Sequence, residues 1–240
     1  MINKESPIPI YYQLQEHLKT KIENGELKSG DPIPSEREMA EKYEISRMTV
    51  RQAVNNLVNE GLLTRSKGRG TFVADKKIEQ PLMKLTGFSE DMKRRGIEPG
   101  SKLISFDVIK ASKKVSKHLN INEGDSVYQI SRLRLGDGDP MAYEVSYLPE
   151  KRITKIPEDN IRGSLYSFIE ECLGLKIERA IQTLEPSFAT ALESDMLTIE
   201  KGSPVLLLER TTFLHDDVPI EYVKSIYRGD RYKFIAEMRR

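Results

Sequence analysis

The stretch from Ser46 to Gly61, SRMTVRQAVNNLVNEG, constrains this chain more than any other. Ser46 is a helix-capping type, and Gly61 is a natural stop after Glu60. Between them Val50, Ala53, Val54 and Leu57 recur at i, i+3, i+4 and i+7, so one stripe of the helix is apolar and has to be buried. The remaining surface near its start presents Arg47, Met48, Arg51, Gln52 and Asn55. The partners for the stripe lie just upstream. Leu14, Leu18 and Ile22 recur at four-residue steps with Tyr11 on the same side, predicting a helix over 10–24 that Gly25 ends. Residues 26–34 hold one Gly and two Pro and read as a loop. Ser35 to Glu38 is a capping box that opens a short helix ending near Tyr43, and Glu44-Ile45 turns the chain into Ser46. Beyond Gly61, Leu62–Arg65 and Gly70–Val73 predict two short strands joined by Ser66, Lys67, Gly68 and Arg69. Three helices followed by a hairpin is the order of a winged helix-turn-helix.

Charge adds direction to that outline. The net charge of +1 says nothing about nucleic acid, and residues 1–75 are balanced. Within Ser46–Val73, however, Arg47, Arg51, Arg65, Lys67 and Arg69 face a single acid, Glu60, while Glu36, Glu38, Glu41 and Glu44 cluster earlier. A one-sided distribution of this kind is the electrostatic footprint of a duplex binder. A recognition helix turns its N-terminal residues to base edges in the major groove, where Arg can bridge guanine O6 and N7. Ser35 and Arg37 at the start of the second helix, and Ser46 at the start of the third, suit phosphates. Lys67 and Arg69 would reach a minor groove or the backbone. The competing reading is a three-helix bundle with a solvated basic face.

The run Pro34-Ser-Glu-Arg-Glu38, then Ser46-Arg-Met-Thr-Val-Arg51, Gly61-Leu-Leu and Lys67-Gly-Arg-Gly-Thr-Phe-Val73 resembles the GntR family of bacterial regulators over about residues 7–74. The resemblance implies that Arg37, Arg47, Thr49, Arg51, Gly68 and Arg69 contact DNA, beside the Gln52 and Lys67 singled out above. It also implies a homodimer on a palindromic operator.

A chain of 240 residues is comfortable as two domains. We divide it into a winged helix over 1–74, a linker over 75–85 and a second domain over 86–240. Strands are expected at Lys102–Lys110, Ser126–Leu135, Pro140–Leu148, Lys176–Pro186, Pro204–Leu214, Val218–Tyr227 and Arg231–Met238. Helices are expected near Ser89–Arg95, Lys113–Leu119, Leu165–Leu173 and Thr190–Leu197. Gly136 to Asp139 and His215 to Asp217 read as hairpin turns, so the second domain is α+β on a mainly antiparallel sheet. The N-terminus has no apolar signal region, and no apolar run is long enough to cross a membrane, which fits the cytoplasm. Cys172 reads as a small hydrophobe on an apolar helix, and no Cys/His cluster has metal spacing.

Alternation on strands brings charged residues of the second domain together. Arg132 and Arg134 share a face, as do Glu144, Ser146 and Leu148, and Glu221, Val223, Ser225 and Tyr227. Two buried arginines need partners. Either they pair with Glu144 on a solvated face, or they hold an anion such as a phosphate. Ser164 reads as the cap of a helix whose N-terminus favours an anion. His17, His118 and His215 are scattered, read as surface residues, and form no nucleophile–base pair.

Leu85 to Met92, Ile130 to Arg134, Pro140 to Glu144, Ser164 to Tyr166 and Tyr227 to Phe234 resemble markers of the UTRA effector domain of the HutC subfamily, whose fold is similar to that of chorismate lyase. Within the subfamily the resemblance runs to repressors of N-acetylglucosamine utilisation. It implies an amino-sugar phosphate effector, glucosamine-6-phosphate or N-acetylglucosamine-6-phosphate, and no cofactor or metal. Phe88 and Ser89 would edge the pocket. Arg132, Arg134, Ser164 and Tyr166 would hold the phosphate, Glu144, Glu221 and Tyr227 would read the sugar, and Leu133 and Leu165 are counted with them as effector-binding. Other members sense trehalose-6-phosphate or organic acids such as urocanate. A lyase-type enzyme on a DNA-binding domain is the remote alternative, and no acid–base pair in the sequence supports it.

Overall fold

The computed structural model describes residues 2–66, 69–74, 77–153, 156–157, 160–161 and 163–238. The chain forms two compact units, Met1–Ile78 and Glu79–Arg240.

In the first unit, α1 (Ile10–Glu23), α2 (Glu36–Tyr43) and α3 (Arg47–Asn59) precede a hairpin of β1 (Leu63–Ser66) and β2 (Gly70–Val73). Leu14, Leu18, Met39, Val50, Ala53, Val54 and Leu57 meet in one core, so the predicted stripe of α3 is buried. Both caps form: Ser35 and Glu38 make the reciprocal box, and Ser46 accepts from the Thr49 amide at 3.0 Å. The turn between α2 and α3 passes through Glu44 in the left-handed region (φ 50°), which closes it in two residues. Gln15 is buried in α1 and ties it to α3, accepting from Asn56 Nδ2 at 3.0 Å and donating to Glu60.

The second unit is built on one antiparallel sheet of β4 (Pro99–Lys110), β5 (Ser126–Gly136), β6 (Asp139–Pro149), β7 (Ile177–Phe188), β8 (Pro204–Leu214) and β9 (Pro219–Arg228), ordered β4-β5-β6-β9-β8-β7. Around it lie α4 (Phe88–Arg94), α5 (Lys113–Leu119), a single turn α6 (Leu165–Ser167) and α7 (Ala191–Leu197). The β5–β6 turn has Asp137 and Gly138 both at positive φ, 50° and 85°. That is the backbone an Asp-Gly pair is suited to, and it sets the register beside the turn, which a bulge at Arg134/Leu135 then shifts by one residue. One face of the sheet packs Leu133, Val205 and Ile226 with Ala189 and Leu197 beside α7, and Val127 and Tyr222 with Val115 and Leu119 of α5. The other face packs Ile130, Leu148 and Ile220 against Ile161, Leu165 and Phe168.

Several expectations change. The stretch read as a linker, 75–85, contains a strand, β3 (Ile78–Pro81), paired with β10 (Tyr232–Ile235). Its alternating burial, with Ile78 and Gln80 in and Glu79 and Pro81 out, is a strand signature that polar composition concealed. The helix expected over 165–173 is one turn that widens over Phe168–Cys172, with the Leu173 amide reaching back to the Phe168 carbonyl. Cys172 lies on its outer side and is exposed, not packed. His118 is half-buried, stacked on Tyr222 at 4.1 Å and bonded to Thr211, so it is a packed residue and not a surface one.

Candidate functional site

Two groups of arginines stand out, one in each unit. In the first unit, Arg47, Met48, Arg51 and Gln52 are exposed along the outer side of α3, with Thr49 half-buried between them. Ser35 and Ser46 cap α2 and α3. Arg37 is exposed and ion-paired with Glu41 at 3.5 Å. Arg69 is exposed with its guanidinium 6.0 Å from the Phe72 ring centre, while Lys67 and Gly68 lie outside the described residues. Arg51 is not free in solution: its Nε donates to Glu36 at 2.9 Å, and Arg65 reaches the other oxygen of the same carboxylate at 3.2 Å.

In the second unit the sheet register assembles a cleft. Arg132 of β5 lies opposite Glu144 of β6, which lies opposite Ser225 of β9, which lies opposite Leu208 of β8. Two residues along, Ser146, Val223, Arg210 and Gln182 form a parallel row. Because side chains alternate, both rows point the same way. The cleft they floor holds about 680 Å³ of empty space when its open mouth is counted. Its walls include Thr86, Phe88, Asp91, Ser164, Tyr166 and Tyr227.

Arg132 is 3% exposed. Its terminal nitrogens donate to the Ile161 and Gly163 carbonyls, each at 3.2 Å, and to Glu144. Arg134, equally buried, donates to Ser101 Oγ and Ser89 Oγ at 3.1 Å each, with its guanidinium 4.9 Å from the Phe88 ring centre. The Nε of both arginines is buried with no hydrogen-bond partner among the described residues. Burial and then the neighbouring Arg132 charge bring the Arg134 pKa down to about 10, so it stays cationic at neutral pH. Burial pushes the Glu144 carboxyl up, but Arg132 and Arg134 outweigh it and hold the group below the ordinary carboxylate range. Glu221 goes the other way: burial, then the Glu144 charge, raise it. It accepts from Ser146 Oγ at 3.1 Å and Thr212 Oγ1 at 3.2 Å. Burial also raises the Tyr166 and Tyr227 hydroxyls to about 12, so both are neutral donors.

The cleft thus gathers Phe88, Arg132, Arg134, Glu144, Ser164, Leu165, Tyr166, Glu221 and Tyr227, and Ser89 stands behind it holding Arg134. Leu133 is a correction. Its side chain points to the opposite face, into the core with Leu197 and Val205, because it sits one residue out of phase with the two arginines. Ser164 is a second one. It caps only a three-residue turn, accepting from the Ser167 amide at 3.2 Å, so no long helix points its N-terminus at an anion. The solvated-face alternative is half right: Arg132 does pair with Glu144, but in the interior.

Arg210 was missed. It donates through Nε to Gln182 at 3.0 Å and reaches the Thr86 carbonyl and the Tyr166 hydroxyl, each at 3.5 Å. A signal existed: within Leu206–Leu214 its phase matches Thr212, opposite Glu221. Among the described residues no His/Cys/Asp/Glu group could hold a metal ion, and no helix is long and apolar enough to cross a membrane.

A winged helix with exposed arginines on its third helix, joined to a sheet domain with a cationic cleft, is the arrangement of a DNA-binding transcription regulator. Residues 10–73 match bacterial regulatory proteins of the gntR family, and residues 94–233 match the UTRA domain. The chain belongs to the GntR family, in its HutC-type branch that carries a UTRA domain. It is 52% identical to the HTH-type transcriptional repressor NagR of Bacillus subtilis (strain 168), over 100% of this chain and 98% of that one. It is 31% identical to the mannosyl-D-glycerate transport/metabolism system repressor MngR of Escherichia coli (strain K12), over 94% of each chain. Among solved structures, PhnF from Mycobacterium smegmatis matches with a TM-score of 0.65 and 33% identity, covering 95% of this chain and 98% of that one.

Proposed function

We propose that the protein represses amino-sugar utilisation genes and releases its operator when glucosamine-6-phosphate or N-acetylglucosamine-6-phosphate fills the UTRA cleft. The observation that carries this reading is the pair Arg132 and Arg134, buried side by side, each with an Nε unpaired among the described residues, beside the carboxylates of Glu144 and Glu221. Buried guanidinium groups match a phosphate dianion in charge and geometry. Carboxylates and neutral tyrosine hydroxyls a few ångströms away suit the hydroxyl and amino groups of a sugar. The 52% identity to NagR and the resemblance to repressors of N-acetylglucosamine utilisation favour an amino-sugar phosphate among phosphorylated ligands. The active species is a cytoplasmic homodimer whose two α3 helices read the halves of a palindromic operator. Effector occupancy favours a dimer geometry in which the two helices no longer fit both half-sites.

A thermal-shift series tests the ligand. At a hundredfold excess over its dissociation constant, a specific ligand stabilises by about 2.7 kcal/mol. We expect that response from the two amino-sugar phosphates, and none from inorganic phosphate or the unphosphorylated sugars at equal concentration. A response to trehalose-6-phosphate or urocanate alone would replace the amino sugar while leaving the regulator.

A further inference from the structure

The winged helix carries an acid where a duplex binder has least use for one. Glu36 is the first residue of α2, and its carboxylate lies among cations that face outward. Arg51 of α3 and Arg65 of β1 each hold one of its oxygens, at 2.9 and 3.2 Å. The two arginine side chains are about half exposed, at 48% and 47%, and the carboxylate is 23% exposed.

Capping does not account for this arrangement. The box at the start of α2 is already complete through Ser35 and Glu38. An acid in the first turn also gains from the helix dipole without any partner. Nor is stability the explanation, since exposed ion pairs contribute little. What remains is geometry and field. Arg51 is held through Nε, and its two terminal nitrogens have no partner among the described residues, leaving the fork that bridges guanine O6 and N7. The negative charge also offsets the pull that two unpaired arginines would exert on any phosphate, whatever the sequence.

We propose that Glu36 is a positioning residue for duplex recognition: its carboxylate aims Arg51 and Arg65 together, raising discrimination between sequences while lowering affinity for DNA in general. The proposal rests on the duplex-binding reading above.

The test uses the full chain, wild type and Glu36→Gln, and two probes. One is a duplex recovered by the wild type from a random-sequence pool, and the other is sheared mixed-sequence DNA, each titrated across a salt series. Glu36→Gln should bind mixed-sequence DNA more tightly. Its salt dependence there should steepen by roughly 1 to 2 in log–log slope, at about 0.9 for each additional phosphate neutralised. Its preference for the selected duplex should fall at least about tenfold, within reach of one lost bidentate base contact. Glu36→Asp keeps the charge but shortens the reach. It should lose discrimination while keeping the wild-type slope, and it carries the test if Glu36→Gln does not fold. Wild-type discrimination and slope in Glu36→Gln, or wild-type discrimination in Glu36→Asp if that variant carries the test, would overturn the proposal alone. A wild type with no preference between the probes would end the duplex-binding reading, and this proposal with it.

Discussion

The two units use the same side chain in opposite ways. Arg47 and Arg51 stand on the surface of α3, where solvent screens them and a neighbouring acid restrains only one. Arg132 and Arg134 are buried under the sheet's cleft, each terminal nitrogen assigned to a carbonyl, a hydroxyl or a carboxylate. Exposed cations are inexpensive to hold and suit a ligand that brings its own dense charge, such as a duplex. A buried cation is costly unless paired, and its fixed position suits a small ligand that has to be told from others. The same residue type is therefore dispensable to folding in one unit and structural in the other.

That contrast can be broken by substitution. The largest effect is expected from Arg132→Leu, which leaves Glu144 buried without its partner and should destabilise the protein by about 3–5 kcal/mol in urea unfolding. An unfolding midpoint equal to wild type would mean that the pair is solvated in solution. Arg134→Ala should weaken effector binding by about 1.5–3 kcal/mol, the range of a hydrogen bond to a charged group, and abolish induction while sparing operator affinity. Calorimetric titration with the amino-sugar phosphates reads the first, and operator titration reads the second. Arg51→Ala should do the reverse, costing about 1–3 kcal/mol on operator DNA with effector affinity unchanged. Its thermal stability should stay within about 0.5 kcal/mol of wild type, because no buried group loses a partner. The smallest effect concerns pH. Glu221 has its pKa raised by burial and by Glu144, so the folded state holds its proton longer than the unfolded state does. Its contribution to stability is full below the unfolded pKa and is lost as pH rises through the folded one. Glu144 is held below its ordinary value, so its contribution is present above the unfolded pKa and is lost as pH falls through the folded one. Glu221→Gln should flatten the fall on the high side and leave the acid limb in place, measured by urea unfolding across pH.

Much of this architecture was legible in the chain, because its signals are local. The caps at Ser35 and Ser46, the stripe on α3 and the Asp-Gly turn each lie within a few residues and each formed. The pairing of Arg132 with Glu144 was less legible: the two-residue turn alone would set Arg132 opposite Tyr143, and a bulge at Arg134/Leu135 shifts the register by one residue to bring Glu144 there. What escaped depends on contacts distant in sequence. β9 pairs with β6 across more than seventy residues, and that crossing, continued to β8, brings the missed Arg210 to the cleft; Glu221, carried by the same strand pairing, was named through the family resemblance. The strand Ile78–Pro81 is specified by its partner near the C-terminus, so its polar residues looked like linker. Leu133 was misplaced for a different reason: motif membership was followed where strand alternation already gave the answer.

The central claim is that occupancy of the cleft and grip on the operator oppose each other. Linkage makes this reciprocal: if effector weakens operator binding by some factor, operator must weaken effector binding by the same factor. The direct measurement is the dissociation constant of glucosamine-6-phosphate or N-acetylglucosamine-6-phosphate for the free protein and for the protein saturated with operator. The account predicts weaker effector binding on DNA, by the same ratio that effector imposes on the operator affinity. Equal effector affinity in both states would contradict it.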